Sequence, residues 1–228
     1  NQWAAENSTV IGTTTTWLDY AGVHDVANPS ATNQPSTTNP DSDFNDKASS
    51  TFVTDDYLIK NTPNYGAGQT TGSLLAVLKT GSSFATYPAI FSASNTATVI
   101  EKFSIYINNV GKLNVHLQNG VNTNALVVNT ALSINTKYII YIESNGTTTN
   151  VYVNGVLQTL GGNTNLGYWF DYSNTGNTLD NVVVGGLIRS SSPLYYNGKI
   201  ALIGNYALPS SVERTFILNA LNTEYNVY

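Results

Sequence analysis

The segment "TTTNVYVNGVLQTL", residues 147–160, contains two short runs of alternating apolar residues joined by Asn154-Gly155. Asn-Gly is the pair that best accepts positive φ at both central positions of a two-residue type I′ turn. The segment therefore predicts a tight β-hairpin. Because side chains alternate along a strand, Val151 and Val153 should face one side of the sheet and Tyr152 the other.

Strand signals of the same kind lie on both sides of this hairpin. The run "GSLLAVLKTG", residues 72–81, is continuously apolar, which is typical of a strand buried on both faces. The run "EKFSIYINNVGKLNVHLQNG", residues 101–120, has two alternating apolar rows separated by a turn at Asn109–Gly111, which predicts a second hairpin. About ten strands at short spacing predict an antiparallel β-sandwich of two sheets.

One helix is predicted at the carboxyl end. Residues Ser210-Ser211-Val212-Glu213 have the form of a capping box, and Pro209 precedes them. Val212, Phe216 and Ala220 then follow at intervals of four residues, flanked by Ile217 and Leu221. This pattern predicts a helix of about three turns that packs on the sandwich through that stripe.

Composition narrows the classes of partner. The chain has 228 residues, of which 41% are hydrophobic and 10% charged, with a net charge of −5. The nine Lys and Arg residues are scattered, which argues against a nucleic-acid partner. No apolar run is long enough to span a bilayer, so we expect no membrane insertion. The absence of Cys excludes disulfides and thiolate metal sites.

The order of motifs in the second half of the chain resembles a known family. "YVNG" (152–155), "VGG" (184–186), "YNGKI" (196–200), "IGNYAL" (203–208) and "SSVE" (210–213) are similar to the laminin-G-like branch of the concanavalin A-like lectin/glucanase superfamily. In the first half, "WLDYAGVHDVANPSATNQPS" (17–36) and "TFVTDDYL" (51–58) are similar to two further segments of that pattern, although Ala21, Thr54 and Tyr138 depart from it.

The resemblance covers residues 17–228 and implies one laminin-G-like domain with the concanavalin A-like jelly-roll sandwich. Residues 1–16 are then expected to be an amino-terminal extended segment. In this interpretation the Pro-rich tract of residues 27–50 is a loop inside the domain.

The acidic residues do not have the spacing of a glycosidase. Relatives of this fold that cleave glycosides place two or three carboxylates on alternate residues of one strand. None of the five Glu residues has another carboxylate two positions away, while Asp41 and Asp43 lie in a Pro-rich loop and Asp55-Asp56 are adjacent. His24 and His116 are isolated, and His116 alternates with apolar neighbours as a sheet-face residue would. We therefore expect no enzymatic activity.

The tract "NPDSDFND" (39–46) is the candidate metal site. Asp41, Asp43 and Asn45 match the first ligand positions of a calcium loop, with Asp46 beside them. Asp46 stands where an EF-hand needs Gly, so the alternatives are a looser calcium cage or a solvated acidic loop without metal.

The tract "GGNTNLGYWFDYSNTGNTLD" (161–180) is the candidate ligand site. Aromatic faces and nearby carboxylates or amides are what a glycan site requires, and Tyr168, Trp169, Asp171 and Tyr172 supply them. Tyr195 is a further candidate contact. The alternative is that "LGYWFDY" is another strand whose aromatic side chains pack inside.

Glycan recognition is what the resemblance implies. We expect a non-catalytic binding or adhesion module on a cell or virion surface, with cell-surface or virion glycans as partners. The alternative is a structural subunit, such as a capsid decoration, fibre or appendage protein, whose partners are neighbouring subunits. A polysaccharide hydrolase or lyase ranks last.

Overall fold

The structure, a computed structural model, describes residues 2–11, 14–19, 25–162, 165–174, 176 and 178–228. Residues 20–24 lie outside this set, and with them Ala21 and His24. The described strands and helices are β1 (Gln2–Ile11), β2 (Thr14–Asp19), β3 (Val26–Ala27), β4 (Ser36–Asp41), β5 (Lys47–Phe52), β6 (Leu58–Asn61), β7 (Gly72–Thr80), β8 (Ala89–Ser94), β9 (Glu101–Ile107), β10 (Lys112–Asn119), β11 (Asn122–Ala131), β12 (Lys137–Ser144), β13 (Thr149–Val153), β14 (Val156–Leu157), β15 (Leu160–Gly162), α1 (Phe170–Ser173), β16 (Asn181–Val184), β17 (Gly186–Leu187), β18 (Leu194–Tyr195), β19 (Gly198–Tyr206) and α2 (Ser211–Tyr225).

The strands form two antiparallel layers. The first layer has the order β4-β5-β19-β7-β12-β13-β14, and the second has the order β6-β16-β8-β9-β10-β11-β15. Strands β1, β2 and β3 connect the two, because β1 pairs with β19 while β3 pairs with β6. The predicted antiparallel β-sandwich with one carboxyl-terminal helix is confirmed.

The main core lies between the two layers. Large side chains from both sheets fill it, among them the fully buried Trp17, Phe52, Phe91 and Tyr196. A second core lies on the outer face of the first layer, where Leu75, Ile139 and Tyr141 meet α2. Strand β7 is therefore covered on both faces, as its continuous apolar run predicts.

Helix α2 differs from its prediction in length and in contact face. The capping box is present, but the helix has 15 residues, about four turns. The predicted stripe is wrong at Val212 and Phe216, which are 77% and 74% exposed, and at the exposed Ala220, whereas its flanking residues Ile217 and Leu221 do pack on the second core. The helix contacts the sheet through its second half, where Leu218, Leu221 and Tyr225 share one face. The two described helices are too short or too polar to cross a membrane.

The amino-terminal segment joins the sandwich. Strand β1 pairs with β19 through Gln2–Ala4, and β2 continues across residue 16 to Asp19. A domain boundary between residues 16 and 17 stays a prediction.

The hairpin of residues 147–160 has the predicted geometry. Asn154 and Gly155 have φ angles of 51° and 76°, as a type I′ turn requires. Val151 is buried between the sheets and Tyr152 faces the second core. Asn154 also joins the turn to β12, because its Oδ1 accepts from the Ile139 amide at 2.9 Å and its own amide donates to the Ile139 carbonyl at 2.9 Å.

Replacing Asn154 by alanine should lower the free energy of unfolding by about 1–2 kcal/mol, because it removes a hydrogen bond and because alanine tolerates the left-handed conformation less well than asparagine does. Urea unfolding of Asn154→Ala measures this loss. Asn154→Gly keeps the positive φ at no steric cost, so it should lose less. Equal stability of Asn154→Ala and the unmodified chain would contradict this account.

Candidate functional site

The predicted calcium ligands Asp41 and Asp43 form ion pairs with lysines. Lys199 Nζ lies 2.9 Å from Asp41 Oδ2 and 2.7 Å from Asp43 Oδ2, while Lys79 Nζ lies 2.7 Å from Asp43 Oδ1. Burial raises the pKa of Asp41, but hydrogen bonds from Ser49 and Lys199 outweigh it, so this pKa lies below its usual value. Hydrogen bonds from Lys199 and Lys79 likewise lower the pKa of Asp43.

The remaining two predicted ligands lie in a left-handed turn after these carboxylates. Asn45 and Asp46 have φ angles of 54° and 60°, and Asn45 Nδ2 donates to the Glu224 carbonyl at 3.0 Å near the end of α2. In the part of the chain that the structure describes, no three His, Cys, Asp or Glu side chains form a metal-binding group. Calcium stays a prediction, and the ion would have to displace the ammonium groups of Lys79 and Lys199.

Trp169 does not face solvent. Its side chain is 1% exposed and its ring packs edge-on against Phe103, with ring centroids 5.1 Å apart. The prediction that it contacts a ligand is wrong, because the extended backbone at Trp169 turns the ring between the sheets. Phe170–Ser173 form the short helix α1 and not the alternative strand, but the inward packing that this alternative predicted is found for Trp169 and Phe170.

Tyr168 precedes Trp169 in the chain, Tyr172 follows it three residues later, and both are half-buried. Their rings stack on each other, 3.9 Å apart with an interplanar angle of 6°. Asp171 is held by the backbone, since its Oδ1 accepts from the Gly68 amide at 2.7 Å. The two tyrosines therefore form a surface pair, while Asp171 attaches α1 to the loop before β7.

Tyr195 lies apart from these residues, on β18. It pairs with Gly186 across a two-stranded ribbon, and its half-buried ring lies 5.8 Å from the ring of Tyr57. The structure thus brings Tyr168 and Tyr172 together and separates them from Tyr195.

A cluster of polar and cationic side chains that was not predicted from the sequence lies on the outer face of the second layer. Strands β9 and β10 pair Ser104 with His116, and Lys102 with Gln118, so these polar side chains face away from the core. The segment after β17 crosses this face, where Ser94 Oγ donates to the Ile188 carbonyl at 2.5 Å, and adds Arg189. We call the result the cationic cleft; it has a volume of about 280 Å³ and is lined by Tyr87, Lys102, Ser104, Tyr106, His116, Leu187, Arg189 and Leu194.

Among the described residues, the positive charges of the cationic cleft have no carboxylate partner. Lys102 is 4% exposed and donates only to neutral oxygens, including the Val99 carbonyl at 2.9 Å. Arg189 donates through Nε and Nη2 to the Ser192 carbonyl at 3.2 and 3.0 Å. Within the described parts of the chain, no carboxylate forms an ion pair with either residue.

Burial and the repulsion between positive charges lower the pKa values of Lys102 and His116. Burial and then the charge of Arg189 lower the pKa of Lys102 to about 8. Burial, followed by the charges of Lys102 and Arg189, lowers the pKa of His116 to about 4. At neutral pH the cleft thus contains two cations and a neutral imidazole. Two buried polar atoms of the cleft, Ser104 Oγ and His116 Nε2, lack a hydrogen-bond partner among the described residues.

Part of the cationic cleft could be predicted from the sequence. The hairpin predicted over residues 101–120 implies that Ser104 and His116 share the face opposite its apolar rows. The position of Arg189 in the cleft could not be predicted in this way, because this residue lies in a loop whose path over the sheet depends on tertiary contacts.

Proteins similar to this chain were found by comparison of structures and not by comparison of sequences. No protein-family model matches the chain, and no curated protein matches it. The fold is similar to the CBM40 of the Ruminococcus gnavus IT-sialidase bound to α2,3-sialyllactose, with a TM-score of 0.55 and 20% identity over 65% of this chain and 82% of that one.

Two larger enzymes contain a similar region. The leech intramolecular trans-sialidase matches with a TM-score of 0.52 and 21% identity over 75% of this chain and 28% of that one. Trypanosoma rangeli sialidase matches with a TM-score of 0.57 and 13% identity over 96% of this chain and 32% of that one. At these identities the similarity establishes a shared β-sandwich fold. The narrower laminin-G-like assignment stays a prediction.

Proposed function

We propose that this protein is a non-catalytic glycan-binding module that takes a carboxylate-bearing sugar in the cationic cleft. The observation that supports this most strongly is the pair of uncompensated cations, Lys102 and Arg189, in a chain of net charge −5. Burying a charge without a partner is costly, so a bound anion would relieve that cost.

The rest of the cleft suits the neutral parts of such a sugar. Ser104 Oγ and His116 Nε2 are buried without a hydrogen-bond partner among the described residues, so a sugar hydroxyl would satisfy them, and Arg189 retains N–H donors beyond those that bind Ser192. Tyr87 and Tyr106, whose ring centroids lie 6.3 Å apart, add aromatic surface for sugar C–H groups.

The comparisons support sialic acid as the first sugar to test. The Ruminococcus gnavus module has been seen with sialyllactose, whose terminal sugar carries a carboxylate. None of the residues that line the cationic cleft is an Asp or Glu, whereas most glycosidases act through a carboxylate pair. Both points favour binding over cleavage.

Replacing Arg189 by glutamine should weaken binding of N-acetylneuraminic acid by about 30-fold, because one of two cations facing the carboxylate is lost. Isothermal titration calorimetry at neutral pH measures the change. The matched control is Lys60→Gln, which removes one positive charge from the exposed surface of β6 and should leave the affinity unchanged.

The pH dependence provides a second readout of the same proposal. Because the pKa of Lys102 is about 8, affinity should fall about tenfold between pH 7 and pH 9, as the ammonium group loses its proton. Lys102→Met should remove this dependence. If Arg189→Gln and Lys60→Gln bind the acid equally well, or if no sialylated sugar binds at all, the cationic cleft is not the site.

Adhesion and an extracellular or virion-surface location remain part of this proposal. A role as a structural subunit, with neighbouring subunits as partners, is the alternative. Assembly of the purified chain at low concentration without affinity for any glycan would favour that alternative.

A further inference from the structure

We propose that a second cleft, independent of the cationic cleft, binds a neutral pyranose sugar. This tyrosine-pair cleft has a volume of about 680 Å³ and is lined by Asn122, Thr123, Asn124, Gly162, Leu166, Tyr168 and Tyr172. Every one of these residues is uncharged, and none of them lines the cationic cleft. The two clefts therefore differ in the chemistry of the ligand that they can take.

The amide of Asn124 is the polar centre of the tyrosine-pair cleft. Asn124 pairs with Leu117 across β10 and β11, so its side chain lies on the face of the sheet that carries the core residues. It is 2% exposed, yet neither its Nδ2 nor its Oδ1 has a hydrogen-bond partner in the described residues. A buried amide with both groups unpaired is costly, which points to a partner from outside the chain.

The stacked rings of Tyr168 and Tyr172 form the apolar wall. The two rings are nearly parallel at 3.9 Å, and both pack partly against the core. Trp169 and Phe170, which lie between the two tyrosines in the chain, are buried and anchor this segment, in which Tyr172 is on α1 and Tyr168 lies just before it. A rigid aromatic surface beside polar groups is a common basis for recognising sugar rings, because it covers the C–H face at low entropic cost.

The geometry defines the class of ligand. An amide that offers one donor group and one acceptor side by side matches two adjacent hydroxyls of a sugar. The lack of charge in the lining gives no stabilisation to a carboxylate or a phosphate. A neutral hexopyranose that stacks on the tyrosines and bonds to Asn124 satisfies both features.

Protein-observed NMR with methyl pyranosides of galactose, glucose, mannose and N-acetylglucosamine tests this inference. At least one should bind with a millimolar Kd and shift the side-chain amide of Asn124 together with the backbone amides of residues 122–124 and 166–172. Tyr172→Leu should weaken that binding at least tenfold. The matched control is Tyr57→Leu, which alters a tyrosine pair outside this cleft and should leave the affinity unchanged.

If a tyrosine variant folds poorly, Asn124→Leu provides an independent test of the same site. Because it removes an unpaired buried amide, its melting temperature should equal or exceed that of the unmodified chain, while sugar binding falls at least tenfold. No shift at these residues with any of the four sugars at about ten times a millimolar Kd, or equal loss in Tyr57→Leu, would overturn the inference. A crystal structure with only water on Asn124 in the presence of these sugars would do the same. N-acetylneuraminic acid, titrated separately, reports on the cationic cleft, so failure of one proposal leaves the other testable.

Discussion

Trp169→Ala is expected to lower the free energy of unfolding by about 3–5 kcal/mol, the cost of removing a large aromatic side chain from a core. The ring is 1% exposed and meets Phe103 and Phe170 at centroid distances of 5.1 and 5.4 Å. It also lies against Gly72, where a Cβ would come within 2.5 Å of the indole nitrogen, so there is little room for the site to rearrange. Chemical denaturation of both proteins measures the loss.

The same variant tests the assignment of Trp169 to the core. Trp169→Phe keeps most of the packing and should lose clearly less stability. If Trp169→Ala kept its stability and lost only sugar affinity, the ring would be a ligand contact and its placement between the sheets would be wrong.

Lys199→Met is expected to cost about 3 kcal/mol at neutral pH, because it leaves the Asp41 carboxylate without its cation. Breaking a buried ion pair costs about 3–5 kcal/mol, and the lower end applies here since the Lys199 side chain is 26% exposed whereas that of Asp41 is 3% exposed. Lys79→Met is the matched control. The side chains of Lys79 and Asp43 are each 28% exposed, so breaking their ion pair should lower the free energy of unfolding by about 1 kcal/mol or less.

The pH dependence of this effect has a definite sign. The pKa values of Asp41 and Asp43 lie below 3.8, so their contribution to stability is complete above that pH and is lost as the pH falls through the folded-state values. The pKa of Lys199 lies above 10.5, so its contribution is lost as the pH rises past the folded-state value. Urea unfolding should therefore show a constant difference between the unmodified chain and Lys199→Met from about pH 5 to pH 9, and a smaller one below pH 3.8. A difference that grows in acid would contradict the pairing.

Thermal unfolding with added calcium separates the two interpretations of the acidic loop. If lysines neutralise Asp41 and Asp43, calcium should raise the melting temperature of Lys199→Met and have little effect on the unmodified chain. A calcium-dependent rise in the unmodified chain would instead support the predicted metal site.

The sequence alone determined the sandwich, its hairpins and the position of the carboxyl-terminal helix. These features depend on local rules: Asn154-Gly155 favours one turn type, alternating apolar residues select one face of a strand, and Ser210 with Glu213 begins a helix. Each rule involves residues that are close in the chain, so no knowledge of distant contacts was needed.

Only the tertiary structure decided which polar and aromatic side chains meet at the surface. Tyr168, Trp169 and Tyr172 are aromatic residues of one short segment, and the local sequence does not distinguish between them. The path of the chain buries the ring of Trp169 and stacks the rings of Tyr168 and Tyr172 at the surface. Lys102 and Arg189 are 87 positions apart, and they share a cleft because the loop after β17 crosses the sheet. Lys199 reaches Asp41 only because β5 pairs both with β19 and with β4, which ends at Asp41. Contacts between distant segments depend on how strands pair and loops fold back, and the local pattern of residues does not specify these.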